Sequence, residues 1–325
     1  MAADKKKLDK KQKLRAKNIS TLFVEDFARL FGIRPDEFSP EILRIIRTRD
    51  FRYTPLQGEE RSAFIDAFRK RIADNDFWVS GSDKKDRWET GWSENLEEYR
   101  ATSDISKLIP KYVRPNQILR LDYEYIKPFD VSFEFNIVDV WRQWVFGKYL
   151  ASVDVVYEFG CGSCQHIVAL AKRFPEKKIL GFDWAESSHA IIKELKVHTP
   201  WKIDGGIFDF YAPPAGFSLE KNSAAVTIGA MEQLGKNFDP FLKFLLIQRP
   251  SIIVHLETIE ELYDPARETD ELAIEYVKKR NYLRGYLTRL RELEKRGTVE
   301  IMRVHRFLYG GPGHDSYSLM AWRPK

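Results

Sequence analysis

Two acids bracket a glycine turn in the stretch Val153 to Trp184, VDVVYEFGCGSCQHIVALAKRFPEKKILGFDW, and their spacing suits the binding of a nucleoside. Glu158 stands two residues before Gly160, Gly162 follows, and Asp183 lies 21 positions past Gly162. The glycines let the backbone take dihedrals closed to other residues and let a ligand approach without meeting a Cβ. A carboxylate at the end of the next strand suits hydrogen bonds from ribose hydroxyls. The third glycine of a dinucleotide fingerprint is absent, and an acid at position 158 repels a pyrophosphate while tolerating positive charge. A cationic nucleoside therefore fits better. Both cysteines of the chain, Cys161 and Cys164, lie in this turn with His166 nearby. A CxxC pair can serve redox chemistry or half a metal site. No further cysteine completes a four-ligand zinc site, so two reduced thiols and no metal are expected.

The elements around these residues follow from pattern. Val153, Val155, Val156 and Tyr157 read as a buried strand entering the turn. Ile167, Val168, Leu170, Ala171 and Phe174 recur at helical spacing until Pro175, and Lys178 to Phe182 offer a second strand, which completes a βαβ unit. Beyond it, Ser187 to Val197 reads as a helix, and Trp201 to Phe208, Ser223 to Ile228 and Ser251 to Leu256 as strands three to five. Asp270 to Arg296 reads as one long basic helix capped by Gly297. The end of the chain reads as two strands around Gly310-Gly311-Pro312-Gly313. Upstream, Ser20 to Phe31, Pro40 to Arg49 and Glu60 to Ala73 have amphipathic helical spacing, the first with an N-capping Ser or Thr. Phe77 to Tyr99 reads as a polar loop carrying Trp78, Trp88 and Trp92, which either covers a ligand or anchors the prefix on the core. Gln117 to Ile126 reads as one strand ended by Pro128, and Asn136 to Leu150 as an amphipathic helix.

Glu158-Phe159-Gly160-Cys161-Gly162 resembles the first motif of class I S-adenosylmethionine-dependent methyltransferases, with Cys164 where the usual pattern has a third small residue. The resemblance implies an α/β fold, a seven-stranded Rossmann-like sheet ending in a reversed strand, and S-adenosyl-L-methionine as cofactor. It implies that Glu158, Gly160, Cys161 and Gly162 hold the amino-acid arm and Asp183 the ribose. Asp209 then accepts from the adenine amino group, with Phe210 against the ring and Trp184 on its other side. The fourth strand runs into Gly229-Ala230-Met231-Glu232, where methyl donor and acceptor meet, so Met231 becomes a cofactor contact and Glu232 a catalytic candidate. The terminal hairpin then faces the ligand, adding His314, Asp315 and Tyr317. The N/D-P-P-Y/F signature of enzymes that methylate exocyclic base amines is missing, and the glutamate pair of arginine methyltransferases is not visible. The C-terminal half, from AMEQLG through HLETIEELYD to WRPK, is also similar to methyltransferases associated with bacterial surface-polysaccharide synthesis. That similarity implies O-methylation of a sugar or a sugar-linked group.

An alcohol acceptor needs a general base, because its proton must leave as the bond to carbon forms. His255, Glu257, Glu232 and His314 are the candidates. His255 ranks first, since it sits near the carboxyl end of a parallel strand, where open α/β sheets bind ligands.

The chain has 325 residues, 43% of them hydrophobic, and a formal charge of +5. Residues 1 to 17 hold eight basic residues against two acids, a net of +6, so the remainder carries −1. A tail over 1–18, a mainly helical substrate or lid region over 19–130 and a methyltransferase domain over 131–325 are expected. The basic tail can hold phosphates or an anionic membrane by charge alone. No run is long enough to span a bilayer and no secretory signal is expected, which suits the cytoplasm. The expected partner is a small-molecule or glycan acceptor, not a nucleic acid, and the oligomeric state is open. The rival readings are a nucleic-acid or protein methyltransferase using the basic tail and a non-catalytic scaffold with a vestigial pocket.

Overall fold

The computed structural model describes residues 19–74, 77–114 and 117–325; the basic tail and the roles considered for it lie outside the described residues. In chain order the strands are β1 (Ser20–Thr21), β2 (Arg52–Pro55), β3 (Leu119–Leu121), β4 (Glu124–Pro128), β5 (Val155–Phe159), β6 (Lys178–Asp183), β7 (Ile203–Ile207), β8 (Ser223–Ile228), β9 (Ile252–Glu257), β10 (Val299–Arg306), β11 (Tyr309–Gly310) and β12 (Ser318–Pro324). The α-helices are α1 (Val24–Phe31), α2 (Pro40–Thr48), α3 (Gly58–Ala73), α4 (Lys85–Thr102), α5 (Phe133–Tyr149), α6 (Gln165–Arg173), α7 (Glu186–His198), α8 (Asp239–Gln248), α9 (Glu268–Arg280) and α10 (Tyr286–Lys295).

The main sheet is seven-stranded, in the order β10-β12-β9-β8-β5-β6-β7. Its strands run parallel from β9 through β7, and β12 lies antiparallel between β9 and β10. This is the seven-stranded Rossmann-like sheet with a reversed last strand that the sequence leads one to expect. One core, with Ile137, Trp141, Ile167, Leu170 and Ile191, covers one face, and a second, with Phe208, Phe241, Leu245, Leu287 and Leu290, covers the other. Chain order reverses at β5, whose neighbours are β6 on one side and β8 on the other, so the loops after β5 and β8 open a crevice at the carboxyl edge.

The N-terminal region is mainly helical and also supplies four short strands to a five-stranded antiparallel sheet, β1-β2-β4-β3-β11. Its last strand comes from the terminal hairpin, and Phe27, Phe31, Ile42 and Phe51 join the same core as α5 and α6. No helix among the described residues is long and apolar enough to cross a membrane.

Four local expectations differ from the structure. Gln117 to Ile126 is a hairpin, because Asp122 and Tyr123 both take positive φ, 53° and 67°, and turn β3 into β4. The tryptophan-bearing segment is largely the helix α4. The long basic helix is two, broken where Asn281 takes a left-handed φ of 53° and its N–H caps α9 at Lys278. The first helix begins at Val24 after a two-residue strand, with Phe23 rather than Ser20 or Thr21 at its N-cap.

Candidate functional site

The site is built on the β5 turn. Gly160 and Gly162 have φ of +74° and +52°, and a Cβ on Gly160 would collide with the methyl of Ala230 from the β8 loop. The N–H groups of Gly160 and Cys161 donate to the Phe182 carbonyl, at 2.6 and 3.1 Å. Asp183 closes the turn from β6: one carboxylate oxygen accepts from Gly162 N–H and the other from Ala185 N–H, each at 2.9 Å. Burial pushes its carboxyl up to about 6, against the pull of those N–H groups. Cys164 takes a left-handed φ of 64° at the start of α6, and its Sγ lies 3.9 Å from that of Cys161 and 3.8 Å from the Ser188 carbonyl. The turn thus accommodates the larger residue by facing it inward. Both cysteines are free and buried.

Glu158 is fully buried, and neither carboxylate oxygen has a hydrogen-bond partner. Desolvation drives its carboxyl well above the usual range, with the charge of Arg142 opposing and that of Asp183 adding to the rise. Ser163 Oγ and His166 Nδ1, in and just past the same turn, are also buried without partners.

Two hollows meet over this turn, sharing Trp88, Trp92, Gly160 and Gly229. The narrower, about 60 Å³, is lined by Asp183, Trp184, Phe210, Tyr211, Gln233 and Leu234 among others. The wider, about 720 Å³, runs from Gly162 and Ser163 to Glu232, Tyr276, Arg280 and His314. That is ample for a small-molecule ligand. An indole ladder roofs both: Trp78 meets Trp88 edge-on at 6.0 Å, and Trp88 stacks on Trp92 at 5.4 Å. Trp92 lies over Gly162, where an added Cβ would come 2.8 Å from the indole. Helix α4 is pinned there because Glu89 accepts the Ser187 N–H at the start of α7 at 3.0 Å and Arg100 pairs with Glu194 at 2.7 Å.

The loop after β8 and the terminal hairpin bring Glu232 and His314 to the wider hollow, with His314 Nε2 3.6 Å from Glu232 Oε2. Gln233 and Thr258 donate to the Glu232 carboxylate at 2.9 and 3.2 Å. The His314 ring stacks on Tyr276 at 5.4 Å with Tyr282 edge-on, and its Nδ1 has no partner. Glu257 is fully buried below this pair and accepts from Ala230 N–H at 3.2 Å and Glu232 N–H at 3.1 Å. Burial, with Glu232 adding, pushes Glu257 up to about 8. It shapes the loop without lining either hollow.

Other expected site residues sit elsewhere. His255 is wholly buried, with Nδ1 2.8 Å from the Thr227 hydroxyl and Nε2 2.9 Å from the Tyr286 hydroxyl. Burial lowers it to about 3, and it lines neither hollow. His255 is a core histidine, because it lies two residues inside β9 rather than at its end. Met231 points into the core under the sheet and also lines neither hollow. Asp209 turns back to accept the Tyr211 N–H at 2.8 Å, leaving Phe210 and Tyr211 as the walls of the narrower hollow. Asp315 is drawn into a buried ion-pair network: Arg306 Nε approaches its carboxylate at 2.5 Å and Arg120 Nε at 3.1 Å. Both arginines also hold Asp270. Tyr317 lines the wider hollow, packed on Trp141 at 4.8 Å. Gln233, the polar partner of Glu232 in the pair expected after the fourth strand, lines the narrower hollow, whereas Tyr211, Tyr276, Tyr282 and the pair Gln117 and Glu134 carry no signal in the sequence. Gln117 donates to Glu134 at 2.6 Å on the wall of the wider hollow, and burial pushes that carboxyl up to about 7.

No protein-family model matches the chain, and no curated protein matches it. Among solved structures, the chain is similar to the [4+2]-cyclase SpnF at 13% identity and TM-score 0.46, over 76% of this chain and 97% of that one. It is similar to the methyltransferase domain of bacterial CtHen1-C at 17% identity and TM-score 0.39, over 55% and 92% of the two chains. NcsB1, an O-methyltransferase from neocarzinostatin biosynthesis in complex with S-adenosylmethionine and 2-hydroxy-5-methyl naphthoic acid, aligns at 11% identity and TM-score 0.40, over 74% and 69%. At these identities the likeness is one of fold.

Proposed function

We propose that this chain is an S-adenosylmethionine-dependent methyltransferase acting on a hydroxyl of a small polar acceptor. The observation that supports this reading most is a single hollow running from the glycine turn to the His314 and Glu232 pair at the switch point of the sheet. The residues present fit the methyl donor. Glu158 is wholly buried behind the turn and lines neither hollow, so the fit rests on the glycine turn, which the wider hollow reaches, and on the walls of the narrower one. Asp183 offers a carboxylate for the ribose, and Phe210, Tyr211 and Trp184 offer aromatic walls to the purine.

When bound, S-adenosylmethionine supplies a methyl carbon made electrophilic by its sulfonium. The chain's own part is to align the acceptor oxygen with that carbon and exclude water, which α4 and its indoles do by roofing the hollow. His314, which lines the hollow with Glu232 3.6 Å from its Nε2, takes the hydroxyl proton, and Glu232 offsets the imidazolium charge that forms. A sugar hydroxyl is one acceptor of this class.

Calorimetry of the full chain with S-adenosylhomocysteine tests the cofactor assignment: saturable binding is expected, and absence of heat together with absence of a thermal shift overturns it. Methyl transfer from tritiated donor into a small-molecule extract tests the base. His314→Gln is expected to lose about 10²–10⁴-fold in transfer while keeping cofactor affinity. Full transfer by the variant removes His314 from the reaction.

A further inference from the structure

The wider hollow carries more positive charge at one end than its own acids answer. Arg87, Arg114 and Arg280 line it, and none forms an ion pair with a carboxylate among the described residues. Lys111, also on the wall, is already paired with Glu98 at 2.6 Å. Two of the arginines crowd onto one indole: the Arg280 guanidinium packs 3.9 Å from a Trp78 ring and that of Arg87 packs 4.5 Å from it. Arg280 spends its terminal nitrogens on neutral oxygens, the Trp78 carbonyl at 3.3 Å and the Tyr282 hydroxyl at 2.7 Å, and its Nε is buried without a partner. Arg87 is exposed and makes no hydrogen bond to a described residue. Stacking occupies the face of a guanidinium and leaves the N–H edge of Arg87 open, while each terminal nitrogen of Arg280 keeps a second N–H beyond its one bond to a neutral oxygen. Both guanidinium charges thus sit beside Trp78 with no carboxylate paired to either among the described residues.

The acids on the same wall do not supply that anion. Glu232 is committed to His314, Gln233 and Thr258, and Glu134 to Gln117. Glu94 lies beyond ion-pair reach of the three arginines. The arginine pair is nevertheless close to the proposed chemistry, because Arg280 packs 4.9 Å from the Tyr282 ring and Tyr282 packs 5.4 Å from His314.

From this we infer that the methyl acceptor is an anion: a molecule whose carboxylate or phosphate is held by Arg87 and Arg280 on Trp78 while its hydroxyl reaches His314. The inference rests on the proposed methyltransferase reading and deepens it by naming the substrate class. Guanidinium forks match the two oxygens of either oxyanion, and a concave site lined by one sign of charge concentrates such ligands. The neutral hydroxyl end then meets the only part of the hollow where a histidine faces a carboxylate among the described residues.

The test is calorimetric titration of the full chain, first saturated with S-adenosylhomocysteine, with benzoate and separately with inorganic phosphate. Saturable binding of one of them is expected, the stronger of the two identifying the acidic group as carboxylate or phosphate. Arg87→Gln, at an exposed position, is expected to weaken it about tenfold or more. Arg280→Lys, which keeps the charge and loses the fork, should weaken it as well, with cofactor affinity unchanged in both. Failure of both anions to bind a cofactor-loaded chain, or equal binding by wild type and Arg87→Gln, overturns the inference and leaves the methyltransferase reading standing. Failure of S-adenosylhomocysteine itself to bind brings down both.

Discussion

Asp183→Asn separates cofactor recognition from folding more cleanly than any other change in the site. In the folded chain the two carboxylate oxygens each accept one backbone N–H, from Gly162 and from Ala185, at 2.9 Å. An asparagine has one acceptor oxygen and one amide nitrogen, so whichever way it turns, a buried backbone donor faces another donor. That loss costs about 1–3 kcal/mol. Opposing it is the charge itself. Burial raises the carboxyl from 3.8 to about 6, so between those values the folded chain keeps a proton that the unfolded chain has released. Stability therefore falls as pH rises through that window, by roughly 3 kcal/mol in all, and above about pH 6 the native state carries the full cost. Asparagine never carries it. The two effects are of similar size and opposite sign, so at pH 7.5 the variant should unfold within about 2 kcal/mol of wild type.

Cofactor affinity has no such compensation. Ribose hydroxyls donate to an ionised carboxylate, and replacing one of its oxygens with an amide should weaken S-adenosylhomocysteine about 10–100-fold at pH 7.5. Wild-type affinity should also rise as pH climbs through about 6, while that of the variant stays flat over the same range. Urea unfolding at pH 4.5 and 7.5 with calorimetry across pH 5–8 measures both arms. A variant that folds like wild type and binds the nucleoside equally well at pH 7.5 refutes the assignment of Asp183 to the ribose.

Three further outcomes follow from the packing. His255→Phe leaves the Thr227 and Tyr286 hydroxyls without their buried partner and should cost about 2–5 kcal/mol in urea unfolding, with methyl transfer per folded molecule unchanged; a selective loss of transfer would return His255 to the reaction. Arg306→Met strands the buried carboxylates of Asp270 and Asp315 and should lower stability by about 3–5 kcal/mol in thermal denaturation, whereas a neutral result would mean that Arg120 alone satisfies both. Trp92→Ala removes the indole over Gly162 and should speed S-adenosylhomocysteine dissociation about tenfold in stopped flow, and an equal off-rate would mean that α4 does not gate the turn.

The parts of the fold that could be read from the sequence are those whose signals are local. A β-branched run, two glycines, an apolar face at helical spacing and Pro175 specify β5, the turn, α6 and β6 within about thirty residues, and the structure places each there. The hairpin at Asp122 and Tyr123 was hidden because neither left-handed position is a glycine. Helix α4 reads as a loop because glycines and charges surround its tryptophans, although Trp88, Trp92, Leu96 and Tyr99 recur at helical spacing, the last two packing into the core. His255 and His314 illustrate the deeper limit. Both sit near a ligand-facing strand end by topology, yet their surroundings depend on depth: His255 pairs in register with Thr227 one layer below Glu257, while His314 lies in the loop beyond β11.

What brings His314 to Glu232 is long-range. Arg120 of β3, Asp270 of α9, Arg306 of β10 and Asp315 of the hairpin come from separate parts of the chain, and their charges are buried together immediately beside His314. Such a network is stable only when every member is in place, since removing one partner strands a buried charge. The N-terminal sheet, the helix that carries Tyr276 and Arg280, and the loop that carries the proposed base are therefore set by a single arrangement. The wider hollow exists only where that arrangement closes, which is why no window of sequence contains its signature.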